Sequence, residues 1–389
     1  MERVVLAGGA VFDARSGAVS RADVVLAGDR IVAVGVGLSG DVVVDCAGGL
    51  LVPGFIDCHT HVSLTQTLGS ATAVTLPRSA RQLSAVPVLA TLLRNGVTTV
   101  RDAWGADAGL RLAVRQGWVA GPDILVSLRQ VGTTGGLGDH WVASQGTVDA
   151  FGDPSMPDPV FDGPEAARAV VRRMVRAGAD WIKVTATGSM ARGVGVHDVQ
   201  LTRAEMSALV DEAVNRGRRV MVHAHGARAA ELAARAGAHS IEHGVFLDEA
   251  AVAAMAEAGT WFVPTLSVTQ ADPEHAPEGT PEAHRHAVRL AVRAGVPIAM
   301  GTDNPVRPHT EVLREIEYLA LAGLGPVEAL RAATWQAARL LGVADDRGEI
   351  AEGKRADLVL LDGTSVEPAG LADRIRAVWH NGRVVAGRD

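Results

Sequence analysis

Lysine is nearly absent from this chain. Of its 37 basic residues only Lys183 and Lys354 are lysines, and the other 35 are arginines. Tyrosine occurs once and aromatic residues make up 4%, too few for the stacking surfaces that hold single-stranded nucleic acid. There is no excess of positive charge either: the net charge of −7 argues against a nucleic-acid partner. Two cysteines, Cys46 and Cys58, cannot make a disulfide framework, and a reducing cytoplasm is expected. No apolar run approaches the length of a membrane span. The stretch "MERVVLAGGAVFDARSG" lacks a charged region followed by a sustained apolar one, so no secretory leader is expected. The expected partner is a small-molecule substrate, with a homo-oligomer left open.

What is present is a large core. Hydrophobic residues at 48% and charged residues at 21% exclude a largely disordered chain. Both ends are rich in short alternating runs with turn residues between them: "VVLAGGAVFDA", "ADVVLAGDRIVAVG" and "DVVVDCAGG" at the start, "GKRADLVLLDG" and "IRAVWHNGRVVAGRD" at the finish. Residues 1–52 and 351–389 are therefore expected to build one small β-sandwich. Residues 53–350 alternate differently. Eight apolar runs read as buried parallel strands ("LLVPGFIDCHTH", "VTTVRDAW", "DILVSLRQV", "WIKVTAT", "RVMVHAHG", "HSIEHGV", "TWFVPTL" and "PIAMGTDN"). Amphipathic Ala/Arg/Leu segments separate most of them. The fold class is α/β, and eight strands in βα alternation are the number that closes a (β/α)8 TIM barrel. Two connections, 132–163 and 267–283, are long enough to be lids or binding loops.

The chemistry-bearing residues sit where those strands end. His59 and His61 close the first run as "HTH", two apart and so on one face. Lys183 lies on the fourth, His223 and His225 end the fifth as "HAH", His243 ends the sixth in "IEHG", and Asp303 ends the eighth in "GTDN". Each alone is a weak signal: Asp303 could cap the next helix, and a single strand-end histidine is more often structural. Together they place imidazoles and carboxylate at the rim that carries the active site of such barrels. Imidazole and carboxylate suit zinc-like divalent ions. Cys58 falls on the face opposite His59. These imidazoles and an aspartate crowd a single ion, which points to two ions and to an anionic bridge between them. Lys183 can supply one: an amine that captures carbon dioxide becomes a bidentate carbamate, and a guanidinium cannot.

The motifs "PGFIDCHTHV", "GVTTVRD", "WIKVTATGS", "VHAHG", "SIEHG", "GTDN", "ALRAAT" and "GKRADLVLLD", in this order, resemble the amidohydrolase superfamily. The similarity is greatest to the branch with imidazolonepropionases, Xaa-Pro dipeptidases, arginine-directed carboxypeptidases and ochratoxin-degrading amidases. The resemblance implies that His59, His61 and Asp303 hold one metal, that His223 and His243 hold the other, and that carboxylated Lys183 bridges them. It implies a substrate-assisting role for His225, where peptidase members often carry Tyr, and for His140 in "GGLGDHW". Arg192 and His197 in "MARGVGVHDV" could pair with a substrate carboxylate.

The implied reaction is hydrolysis of an amide-type C–N bond of a dipeptide or N-acyl amino acid, with Asp303 as general base and then acid. A cyclic amide, imidazolone or lactone is the alternative bond. A non-catalytic relative would show a lost ligand, yet all six ligand positions are filled. A phosphate-binding barrel would show a Gly cluster after the last two strands, and none is there.

Overall fold

The computed structural model describes residues 2–64, 77–144, 146–147, 155–190, 195–274 and 276–387. The two ends meet in two sheets. A four-stranded sheet runs in the order Arg30–Gly35, Asp23–Ala27, Arg3–Ala7, Val42–Asp45. A six-stranded sheet runs in the order Arg383–Gly387, Ile375–His380, Leu358–Asp362, Gly49–Pro53, Ala10–Phe12, Val19–Arg21. N-terminal and C-terminal segments pair directly, Val359 opposite Val52 and Leu360 opposite Leu51. Alternate side chains of both sheets share one core: Leu6, Leu26, Ile31, Cys46, Leu51, Leu360 and Trp379. Lys354 stands where the chain re-enters this unit. Its Nζ donates to the carbonyls of Ala344 and Asp345 at 2.7 and 3.1 Å and pairs with Glu349 at 2.9 Å.

Between the ends lie parallel strands: β1 (Phe55–Thr60), β2 (Val97–Asp102), β3 (Asp123–Val126), β4 (Trp181–Thr185), β5 (Arg219–Gly226), β6 (Ser240–Phe246) and β7 (Trp261–Val263). They form a three-stranded sheet, β3-β2-β1, and a five-stranded one in which Gln130–Val131, β4, β5, β6 and β7 follow in order. Hydrogen bonds join the edges of the two sheets. Asp180 N donates to Val126 O at 2.8 Å, and residues 298–304 bridge Phe262 on one side and Thr60 on the other.

Three expected strands differ in detail. "DILVSLRQV" is broken at Leu128, whose φ of 66° is left-handed, so Gln130–Val131 swings across to pair with β4. "TWFVPTL" stops at Pro264, which has no N–H, and at Thr265 with φ 56°. "PIAMGTDN" makes bridges rather than a full ladder, and Asp303 near its end sits at φ 57°. The two long connections hold short elements: Trp141–Val142 paired with Gly146–Thr147, and the helical turn Ser267–Gln270.

Several helices cover the strands with an apolar stripe. Pro164–Arg176 buries Ala167, Val170, Val171 and Met174, at the spacing that puts them on one face. Arg203–Asn215 begins on a reciprocal cap: Thr202 Oγ1 accepts from Glu205 N, and the Glu205 carboxylate accepts from Thr202 N. Thr202→Ala would remove about 1 kcal/mol of helix stability. Among the described residues no helix is long and apolar enough to cross a membrane.

Candidate metal centre

Strand ends β1, β4, β5 and β6 and the segment 298–304 bring seven of the expected residues together: His59, His61, Lys183, His223, His225, His243 and Asp303. One donor atom each from His59, His243 and Asp303 lies within 4.8 Å of the others. His61 Nε2 and His59 Nε2 stand 2.9 and 3.3 Å from Asp303 Oδ1. Lys183 Nζ is 3.3 Å from His59 Nε2. The rings of His223 and His243 are 4.6 Å apart, and those of His59 and His243 4.8 Å. The close approach needs Gly301, where a Cβ would stand 2.4 Å from Val263 Cγ1 and 2.8 Å from His59 Cβ. His243 at φ 70° and Asp303 at φ 57° are non-glycine residues held left-handed, the kind of backbone strain that clusters at functional sites.

The second nitrogen of several rings is occupied away from the centre. His61 Nδ1 donates to Trp104 O at 2.9 Å, which leaves its Nε2 facing Asp303. His223 Nε2 donates to Gly188 O at 3.0 Å, which leaves Nδ1 as its inward atom. His243 Nδ1 meets Thr265 Oγ1 at 2.8 Å. Such outward partners fix the tautomer of metal-binding histidines.

The electrostatics fit a cation. Burial holds His223 and His243 well below the ordinary histidine pKa, so both are neutral lone-pair donors. Burial opposes charge on Asp303 too, but the facing His243 and the close approach of His59 and His61 hold its carboxyl well below the usual range. Burial also works against charge on His61, and the Asp303 contact outweighs it and raises His61. A divalent ion beside Asp303 would take the place of that proton. Burial lowers Lys183 from 10.5 to about 8. Two neutral imidazoles and an ionised carboxylate are donor states that suit a divalent ion.

A family model described as the amidohydrolase family matches residues 50–387. The chain belongs to the amidohydrolase family. It is a hydrolase acting on C–N bonds. This amidohydrolase is 30% identical to ochratoxinase of Aspergillus niger over 372 residues, covering 87% of this chain and 76% of the relative. It is 30% identical to imidazolonepropionase of Paracoccus denitrificans over 380 residues, 87% and 85% of the two chains. The crystal structure of a prolidase complexed with N-methylphosphonate-L-proline superposes with a TM-score of 0.89 at 33% identity, covering 99% of this chain and 100% of that one.

The remaining expected residues of this amidohydrolase lie at different depths. His225 is buried beside the centre, its ring stacked on His243 at 5.1 Å, and burial lowers it to about 4. Its Nδ1 has no hydrogen-bond partner among the described residues. His140 is half-buried and stacks on Trp104 at 5.3 Å, and Trp104 in turn stands edge-on to His61. His197 packs on Phe246, at 4.8 Å between rings, beside Gly226 at the end of β5. Arg192 lies outside the described residues. Cys58 is buried with Ile56, Trp181 and Met221, away from the ligand face.

Several participants escaped the sequence reading. Asp57 accepts from His59 N at 3.0 Å and from Thr302 N and Oγ1 at 3.2 and 2.7 Å, tying β1 to the Asp303 segment. Glu242 Oε2 is 2.7 Å from His59 Nδ1, and Arg101 Nη2 donates to both Glu242 oxygens at 2.9 and 3.1 Å. Against the cost of burial, Arg101 and His59 hold Glu242 at about 2. Glu315 accepts from Leu266 N and Ser267 N at 2.7 and 2.6 Å, next to Thr265. The signal was available for the first three: each is a charged residue inside an apolar strand run, as Lys183 is, and Asp57 shares the face of His59 and His61.

Proposed function

We propose that this amidohydrolase is a binuclear metal-dependent enzyme that cleaves the amide-type C–N bond of a dipeptide or N-acyl amino acid. The observation that carries the reading is the convergence of His59, His61, Asp303, Lys183, His223 and His243 on one buried spot. His59, His61 and Asp303 would hold one ion and His223 and His243 the other, and Lys183, as a carbamate, would be the anionic group shared by the two. The imidazole-rich donor set suits zinc. The ion pair, when bound, supplies Lewis-acid polarisation of the scissile carbonyl and water of lowered pKa.

The chain's own groups do the rest. Lys183, as the free amine, adds to carbon dioxide and releases a proton to become the carbamate. Asp303, whose Oδ1 faces His59 and His61, keeps Oδ2 to accept the proton of the attacking water and pass it to the departing nitrogen. Neutral His225 offers an N–H to the oxygen that gains charge in the tetrahedral state. His140, held flat on Trp104 beside His61, is positioned to read the substrate's carboxylate. The same reading closes β1–β7 and residues 298–304 into a (β/α)8 barrel spanning 53–350, with 1–52 and 351–389 as the β-sandwich, in a cytoplasmic enzyme.

A turnover screen tests it. Zinc-loaded protein prepared with bicarbonate is offered dipeptides, N-acyl amino acids, lactams and imidazolones, with Lys183→Ala as the blank. Cleavage of substrates sharing a free α-carboxylate is the expected result. Activity confined to cyclic amides would replace it with the ring-opening reading that similarity to imidazolonepropionase favours.

A further inference from the structure

We infer that Arg101 and Glu242 form a buried relay that locks the tautomer of His59 and aims its Nε2 lone pair at the metal centre. The inference rests on His59 being a ligand. Both residues are positioning residues, one strand removed from the chemistry.

Arg101 lies on β2 and reaches across the interior with its fork fully engaged. Nε donates to Cys58 O on β1 at 2.5 Å, Nη1 to Ser240 Oγ on β6 at 3.2 Å, and Nη2 to both oxygens of Glu242 at 2.9 and 3.1 Å. Its guanidinium lies 4.5 Å over the ring of Trp181 on β4. Three other strands thus fix this one side chain of β2, whose relative exposure is 0%. Only a planar, permanently charged fork matches this set of acceptors.

Glu242, equally buried, has both oxygens occupied by the same contacts. Oε1 takes Arg101 and the Ser240 hydroxyl, and Oε2 takes Arg101 and His59 Nδ1 at 2.7 Å. A carboxylate so held can only accept, so the His59 proton sits on Nδ1. Nε2 is left with its lone pair, 3.3 Å from Lys183 Nζ and 3.3 Å from Asp303 Oδ1. Without Glu242 the opposite tautomer would put an N–H on that spot, where Asp303 waits to accept it, and would turn the lone pair away from the cation. Outer partners of this kind contribute about 10–100-fold to metal affinity by mutation.

Removing one partner alone would strand a buried charge and threaten folding. The test therefore uses neutral pairs. Arg101→Met with Glu242→Leu removes the acceptor, and Arg101→Met with Glu242→Gln keeps an uncharged one. Cobalt(II) is titrated against a chelator. The expected order of affinity is wild type, then the Gln pair, then the Leu pair, the last about 10–100-fold below wild type while still melting cooperatively. In the cobalt-loaded wild type, proton NMR should show a solvent-protected, hyperfine-shifted His59 Nδ1–H that the Leu pair lacks. A folded Leu pair with wild-type cobalt affinity overturns the relay, as does a wild type lacking that protected proton. If the variants fail to fold, the wild-type proton signal decides alone. His59→Ala separates the two levels: cobalt bound as tightly by it as by wild type would sink the ligand assignment itself.

Discussion

Arginine in place of Lys183 preserves charge and costs this protein its function, if the centre works as proposed. Lys183 is 2% exposed, and its Nζ has an imidazole nitrogen, His59 Nε2, within hydrogen-bond reach. The fall of its pKa from 10.5 to about 8 corresponds to roughly 3 kcal/mol of penalty on the ammonium. Above about pH 8 lysine escapes by losing its proton, and a guanidinium cannot. Lys183→Arg keeps that penalty at every pH, whereas the wild type sheds it above about pH 8, and the added volume costs about 1–3 kcal/mol more. It also loses the nucleophile that captures carbon dioxide. The expected outcome is loss of stability in urea melts, absence of bound metal by mass spectrometry, and loss of turnover. A carbamate carbon signal after incubation with 13C-bicarbonate should appear in wild type and be missing in the variant. The pH dependence has a definite sign. The reactive amine fraction rises about tenfold per pH unit up to about 8 and then levels off, so bicarbonate activation of metal-stripped protein should follow that curve. Because the folded pKa lies below the unfolded one, the unfolded chain binds the extra proton between about 8 and 10.5, and stability rises with pH across that window. Wild-type metal content and turnover in Lys183→Arg would refute the carbamate.

Three other perturbations probe separate parts of the site. His225→Tyr should keep both metals by mass spectrometry and shift turnover toward dipeptides; loss of metal would mean that His225 rather than His223 is the ligand. Burial lifts Glu315 to about 8 against the pull of its two backbone donors, so between about 4.5 and 8 the folded state holds a proton the unfolded state has lost. Wild-type stability should then fall by roughly 1.4 kcal/mol per pH unit across that range, and urea melts of Glu315→Gln should show that slope removed. Gly301→Ala pushes a methyl group into Val263 and His59, so about 1–3 kcal/mol of stability and most of the turnover should be lost together; an unchanged kcat would show that the Gly301 approach does not set the position of His59.

The pairing of the two ends in shared sheets and the parallel strands were legible because alternation and apolar runs are local signals. The breaks at Leu128, Thr265 and Asp303 were not, since a left-handed φ at a non-glycine residue is imposed by tertiary contacts and leaves no mark in composition. The candidate ligand positions were legible because histidines are few and their spacing marks strand ends. The support beneath them was hidden by abundance. Lys183 drew attention as one of two lysines, whereas Arg101, just as deeply buried and bonded on every side, was one arginine among 35. Lys354 makes the same point from the other side. Its ammonium meets two carbonyls and a carboxylate in three directions, which a compact, rotatable head can do and a flat fork does poorly. Both surviving lysines therefore occupy places where arginine's geometry or its permanent charge is unsuitable. The arginines that matter can be found only by asking which charged residues fall inside runs that must be buried. In "VTTVRD" and "SIEHG" that question leads to Arg101 and Glu242, and the partner of each is the other.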